Sequence, residues 1–284
     1  MLLNLQDYID LENTLFSGQC FRWQKKGSWY FGVVKGNVLK VRLRGTSFEY
    51  FSYPDSESDI EVVVNNYFRL SDDIQKTKKA IIDIDQRFLK ITEKTNGLRI
   101  LNQEAWECLI SFICSSASNI PRISKTINDM CKLFGKKIKI MKQDFYTFPS
   151  VHKLSSVTEQ DLESVGSGYR AKFLLTAAKK IAHDELNLAW IKSLNYNKAV
   201  DALVLSLPGV GYKIADCVLL FSLNKMEAFP VDRWVQRAVN DLYFNSNGLS
   251  VTKVRNFGQS KFGQYSGYAQ QYLFHYWRLK KGNS

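Results

Sequence analysis

The chain has 284 residues, 45% of them hydrophobic and 23% charged, which is enough apolar content to bury a sizeable core and excludes a disordered chain. Lys and Arg outnumber Asp and Glu by 39 to 27, for a formal charge of +12, and such an excess biases the surface toward polyanions, nucleic acid first among them. The 5 scattered cysteines include no C-x-x-C pair, which argues against disulfides and zinc; with no signal-like N-terminus and no run of about eighteen apolar residues, a soluble protein that is cytoplasmic, or nucleoid-associated if bacterial, is expected.

In chain order, short aromatic and β-branched runs come first: Phe21-Arg22-Trp23, Trp29 to Val34, Val38 to Leu43, and Phe48 to Phe51. Lys26-Gly27-Ser28, Lys35-Gly36-Asn37 and Arg44-Gly45-Thr46 separate them. Period-two alternation broken by Gly-containing turns predicts an antiparallel meander. After Tyr53-Pro54-Asp55-Ser56 the period becomes helical. Ser71-Asp72-Asp73 is a helix start, with Ile74, Ala80-Ile81-Ile82 and Phe88-Leu89 as the apolar positions.

Further helices are predicted at about 103–116, 119–134, 158–165, 169–183, 197–206, 211–223, 231–243, 251–261 and 266–280. The longest irregular stretch is expected at about 141–157, in an all-α body. The chain therefore divides into a sheet domain with flanking helices, 1–100, and a helical body, 101–284, and the fold class is α+β.

Residues 207–232 carry the densest signal. Leu207-Pro208-Gly209-Val210-Gly211-Tyr212-Lys213 stops one helical pattern and starts another, and Pro230-Val231-Asp232 places an acid nineteen positions after the lysine. The two glycines permit a tight turn with φ > 0 and clear the approach for something bulky. Unpaired N–H groups at the start of the second helix suit a phosphate. Lys213 stands beside that anion site, and a nearby cation or desolvation can strip its proton and make it a nucleophile. Cys217 lies one turn on, compatible with a tuned amine and equally with plain packing. Asp232 precedes a helical run, as an ordinary N-cap does. Combined with the hairpin and the lysine, it can also stabilise positive charge at an anomeric carbon while the amine attacks.

Leu207 to Cys217 together with Asp232 resembles the signature of the helix-hairpin-helix base-excision glycosylases. Ser17-Gly18-Gln19-Cys20-Phe21-Arg22-Trp23, Phe112-Ile113-Cys114-Ser115-Ser116 and Gly168-Tyr169-Arg170-Ala171 narrow the likeness to the 8-oxoguanine DNA glycosylase branch, and it runs in order from residue 17 to residue 274. The resemblance implies Lys213 as the nucleophile that forms a Schiff base, and Asp232 as its helper. It implies Gly18 as the carbonyl that accepts the N7 hydrogen peculiar to 8-oxoguanine. Cys217 and Phe274 would sandwich the flipped base, and Gln270 would read its Watson–Crick edge. Tyr169, Arg122 and Arg170 would fill the vacated position and contact the orphaned cytosine.

Gly209, Val210 and Gly211 would hold a DNA phosphate, and the carbonyls of Leu205, Leu207 and Val210 can take an alkali cation; no other cofactor or metal is implied. The partner implied is double-stranded DNA containing an oxidised purine, bound by a monomer.

The pattern is not followed everywhere. Ala117-Ser118-Asn119 stands where eukaryotic members carry three asparagines, Trp234 replaces a phosphate-contacting histidine, and the segment Asn245 to Ser250 is short. The chain is similar to bacterial-type members. No cysteine follows Cys217, which disfavours the iron–sulfur relatives. Two alternatives stand beside this reading: an alkylpurine glycosylase, which uses the aspartate and no lysine, and a non-catalytic module that grips DNA through the hairpin.

Overall fold

A computed structural model describes residues 1–54, 60–140, 143–244 and 248–282. The alternating N-terminal runs form an antiparallel sheet of five strands, β1 (Leu2–Asn4), β2 (Gln24–Lys26), β3 (Trp29–Val34), β4 (Asn37–Arg44) and β5 (Ser47–Tyr53), in the order β1-β5-β4-β3-β2. The run Phe21-Arg22-Trp23 lies just outside it. Phe21 and Trp23 are buried, and Arg22 is drawn into an ion pair with Glu107 at 2.7 Å. Three-residue β1 is too short to show alternation in the sequence, and its pairing with β5 supplies what the sequence pattern lacked.

One face of the sheet buries Leu39, Val41, Phe48 and Tyr50 against Val64 and Phe68 of the helix Ile60–Phe68. Asp73 caps the next helix, Ile74–Ile84, accepting from Lys76 N at 2.8 Å, so the predicted start is observed. Its Ile74 and Ile81 pack, with Phe88, Ile91 and Leu98, into the core of the helical body.

That body is not wholly helical. β6 (Lys137–Ile140) and β7 (Gln143–Tyr146) form a second antiparallel sheet. Lys137-Ile138-Lys139-Ile140 alternates over four residues only, so the helical periodicity on either side masks it. A short helix, Val151–Ser155, occupies part of the predicted irregular stretch, capped by Ser150. Leu11–Leu15 and Leu188–Ser193 are likewise short helices without a full sequence period, capped by Asp10 and Asn187.

The sheet domain is fastened where the site lies. Gln19 is fully buried and donates to the carbonyls of Thr14 and Arg99, each at 2.8 Å, while its own oxygen accepts from Leu101 N at 2.8 Å. Gln271, on the C-terminal helix Ser266–Gly282, donates to Ser17 O at 3.1 Å. The Ser17-Gly18-Gln19 loop is thus held on both sides, and Gly18 is placed by its neighbours.

Candidate active site

The hairpin joins a leading helix, Tyr196–Ser206, to a second helix, Tyr212–Ser222. Gly209 has φ +81, and a Cβ there would meet the Phe173 ring at 2.6 Å, so only glycine fits. Gly211 departs from the sequence reading. Its backbone is extended, with φ −96 and ψ −178, and a Cβ would meet nothing within 4 Å. Gly211 therefore keeps the approach open and is not a turn former. It is the N-cap of the second helix with no side-chain cap bond, so the first N–H groups of that helix are left for an external acceptor.

This helix is locked by a buried ion pair. Asp216 is fully buried, with Oδ2 accepting from Arg255 Nε at 2.6 Å and Oδ1 accepting from Tyr196 OH. Burial pushes the Asp216 carboxyl up, against the pull of Arg255. A buried pair of this kind fixes orientation more than it adds net stability.

Lys213 is half-buried in the first turn of the same helix. Its Nζ donates to Ser115 Oγ at 2.8 Å and stands 5.2 Å from the centre of the Phe112 ring. Burial pushes the Cys217 thiol up to about 12, so next to Lys213 it stays a neutral thiol. Asp232 is indeed the N-cap of Arg233–Tyr243, but both cap bonds, from Trp234 N and Val235 N at 2.9 Å each, fall on Oδ1. Among the described residues nothing donates to Oδ2. Burial raises the Asp232 carboxyl above the usual carboxylate range, and the Val235 and Trp234 bonds and the charges of Lys213 and Arg278 oppose it.

Gly18, Gln270 and Phe274 converge from opposite ends of the chain. A Cβ on Gly18, whose φ is +81, would meet Phe274 at 3.1 Å and Ile120 at 3.0 Å. Gln270 lies one turn before Phe274, 4% exposed, and among the described residues its Oε1 has no hydrogen-bond partner. An orphaned buried acceptor costs about 1–3 kcal/mol, which a ligand's donor removes. Two residues the sequence reading missed also belong here. Ser115 holds the amine, and Arg278 lies over Phe274 at 5.5 Å while donating to Phe16 O at 3.2 Å. Arg278 was visible as the position one turn beyond Phe274 on the same helical face; Ser115 lay within the family-like segment Phe112 to Ser116, which carried no hint of its contact with Lys213.

The three residues implied for the opposite base are arranged unevenly. Tyr169 is 55% exposed, with its ring edge-on to Phe173 and stacked by the Arg170 guanidinium at 4.5 Å. Arg170 is not an exposed cation. It is 4% exposed, with Nε donating to Ser116 O at 2.8 Å, Nη1 to Ser167 O at 3.1 Å and Nη2 to the carbonyls of Ser116 and Ala117. Arg122 is exposed at the start of the helix Ile120–Phe134, which Asn119 caps. The shortened 245–250 segment lies partly outside the described residues, at 245–247.

A hairpin that leaves helix N–H groups for a phosphate, an amine in the next turn and a carboxylate opposite define a DNA-repair architecture of the helix-hairpin-helix class. Residues 110–263 match the HhH-GPD superfamily of base excision DNA repair proteins, and residues 2–109 match the 8-oxoguanine DNA glycosylase N-terminal domain. The chain belongs to the 8-oxoguanine DNA glycosylase family within that superfamily. It is 34% identical to the N-glycosylase/DNA lyase OGG1 of Arabidopsis thaliana, over 94% of this chain and 76% of the relative. To a probable N-glycosylase/DNA lyase of Methanothermobacter thermautotrophicus it is 33% identical, over 95% and 94%.

Among solved structures, the Clostridium acetobutylicum 8-oxoguanine glycosylase/lyase, in complex with double-stranded DNA containing cytosine opposite 8-oxoguanine, superposes with a TM-score of 0.91. The two are 38% identical, over 99% of this chain and 98% of that one. The 3-methyladenine DNA-glycosylase of Archaeoglobus fulgidus shares the fold, at a TM-score of 0.82 and 21% identity, over 98% of each chain. Among the described residues no helix is long and apolar enough to cross a membrane.

Proposed function

We propose that this chain excises 8-oxoguanine from duplex DNA and cleaves the strand at the resulting site, with Lys213 as nucleophile. The observation that carries this reading is the approach of Lys213 and Asp232 from two different helices, with the free Oδ2 of Asp232 in the field of the amine. The relatives named as N-glycosylase/DNA lyases support the same reaction.

In that reaction the flipped base lies between Cys217 and Phe274, with Gln270 and the Gly18 carbonyl as its polar contacts. The Lys213 nitrogen attacks C1′ of the deoxyribose through its lone pair. The bond to the base nitrogen breaks, and its electron pair leaves with the base, which takes up a proton. Asp232 stabilises the positive charge on the sugar as that bond lengthens. Ring opening gives a Schiff base at Lys213; loss of a C2′ proton then expels the 3′ phosphate by β-elimination.

The DNA backbone rests on the N–H groups of Gly209, Gly211 and the first turn of the second helix; Val210, also expected from the sequence to hold the phosphate, already gives its N–H to Leu207 O at 3.1 Å. The nearby carbonyls of Leu205, Leu207 and Val210 suit an alkali cation in kind. Leu207 O already accepts from Val210 N at 3.1 Å but keeps its second lone pair. No step depends on the ion. Arg122 is free to contact a cytosine opposite the lesion, whereas Arg170 first has to exchange Ser116 and Ala117 for it. A monomer suffices, since all these groups lie on one chain.

Borohydride trapping on duplexes carrying 8-oxoguanine opposite each of the four bases tests the proposal. A covalent adduct that disappears in Lys213→Gln, but not when a surface lysine is changed, is the expected result. Duplex binding with no base release and no adduct would sink the enzyme reading.

A further inference from the structure

The outer face of the N-terminal sheet takes no part in this site, yet it is built of rings and cations. Phe31, Lys40 and Phe51 are directly paired across β3, β4 and β5, and Tyr53 is paired with Val38 one row on. Lys40 Nζ stands 4.1 Å from the Trp29 ring centre, 5.6 Å from that of Phe51 and 5.9 Å from that of Phe31. Arg42 covers Trp29 from the other side at 4.2 Å, and Trp29 packs on Phe51 at 5.5 Å. Arg42 is neutralised by Glu49 at 2.6 Å, but among the described residues no carboxylate pairs with Lys40.

Phe51 and Tyr53 are 48% and 46% exposed, so two aromatic faces meet water on a folded surface. The β6–β7 sheet docks at the edge through Phe145 stacked on Phe31 at 6.2 Å and Gln143 accepting from Lys26 at 2.8 Å.

Rings exposed beside an unpaired ammonium group fit one ligand chemistry well: flat π-faces strung on a chain of negative charge. A duplex hides its base faces and offers only phosphates; a single strand offers both. An acidic peptide meets the charge and leaves the rings uncovered. The net charge of +12 favours a polyanion in either case, so the rings decide.

We propose that this face binds single-stranded DNA, with bases stacked on Phe51 and Tyr53 and the backbone running along Lys40. None of these residues lines the excision cleft, so the proposal stands apart from the function argued above.

The test uses the full chain and a thymidine oligonucleotide of roughly 20 nucleotides, long enough to cover such a site, carrying 5-iodouracil for photocrosslinking to stacked aromatic side chains. Adducts mapping to Trp29, Phe51 or Tyr53 are expected. Phe51→Ala and Lys40→Gln should each weaken oligonucleotide binding about five-fold or more, Phe51→Tyr should restore it, and excision from a lesion duplex should be unchanged in all three. Adducts confined to Tyr169, Tyr212 or Phe274 would overturn the proposal. So would parental affinity in Phe51→Ala, or polyglutamate competing as well as the oligonucleotide, since charge alone would then account for binding.

Discussion

The lysine cleft and the arginine arm differ in what their polar groups do before any DNA arrives. In the cleft, among the described residues, Gln270 Oε1 is buried without a partner, Asp232 keeps one oxygen free, and Lys213 rests on a single hydroxyl. In the arm, every nitrogen of the Arg170 guanidinium is spent on the carbonyls of Ser116, Ala117 and Ser167. The first region holds open valences in a fixed frame. The second satisfies itself, and only Tyr169 and Arg122 reach into solvent. On the proposed reading the cleft is preorganised in the free protein, whereas Arg170 has to leave its carbonyls before it can meet an opposite base.

The largest effect separates the two regions most sharply. Lys213→Gln should lower base release by on the order of 10⁴-fold and abolish adduct trapping, with duplex affinity nearly unchanged, because the loss is of a reacting atom. Single-turnover kinetics and a binding titration together check this; comparable losses in both would mean that the lysine only grips.

Asp232→Asn should cost roughly 10²–10³-fold in the same assay, and it also tests pH dependence. Burial raises the folded carboxyl above its ordinary 3.8. Activity of the parent should fall as pH drops through that raised value, because the carboxylate is the working form. The native state binds more protons than the unfolded chain between 3.8 and the raised value, so parental stability declines as pH climbs through that window. Asn caps a helix as well as Asp does, so the variant should melt higher than the parent above the window and equally below it. Thermal melts across acid and neutral pH decide; a variant that melts lower at neutral pH would contradict the burial argument.

Gly209→Ala sits between the two regions. The positive φ and the Phe173 ring together should cost about 1–3 kcal/mol, read as a lower Tm and weaker duplex binding at unchanged chemistry once bound. A silent substitution would mean that the hairpin yields more easily than its packing implies.

The smallest effect sharpens the arm itself. Arg122→Ala and Arg170→Ala should each erode a preference for cytosine by about 1–3 kcal/mol, yet only Arg170→Ala should also lower stability, by about 1–3 kcal/mol, because it strips the partner from the buried Ser167 carbonyl and from those of Ser116 and Ala117. Equal melting of the two variants would show that the buried Arg170 bonds add nothing.

The hairpin was legible because its signals are local: a proline, two glycines and a change of phase within five residues, 207–211. Even so, the sequence read both glycines alike, and only Gly209 takes the left-handed turn. β3, β4 and β5 were legible from alternation alone, but β6 and β7 were lost between helical periods. Lys213 and Asp232 were legible beside the hairpin, but Gly18, Gln270 and Phe274 became legible only through family likeness, since Gly18 and Phe274 lie at opposite ends of the chain and meet through packing. Ser115 reaches Lys213 across 98 positions and Arg170 reaches Ser116 across 54, separations that no periodicity records. The burial of Arg170 was likewise invisible, because the sequence does not show which carbonyls are near enough to draw a guanidinium inward.

Phe173 joins two parts of the molecule that have been described separately. Its ring lies against the backbone of Gly209, and Tyr169 abuts it edge-on at 6.4 Å. The hairpin and the exposed tyrosine therefore form one rigid caliper, with the aromatic as its pivot. On the proposed reading, in which the hairpin holds the DNA backbone, Tyr169 meets the strand at a set distance from that grip, and spacing along the substrate is measured by geometry before any chemical group is read.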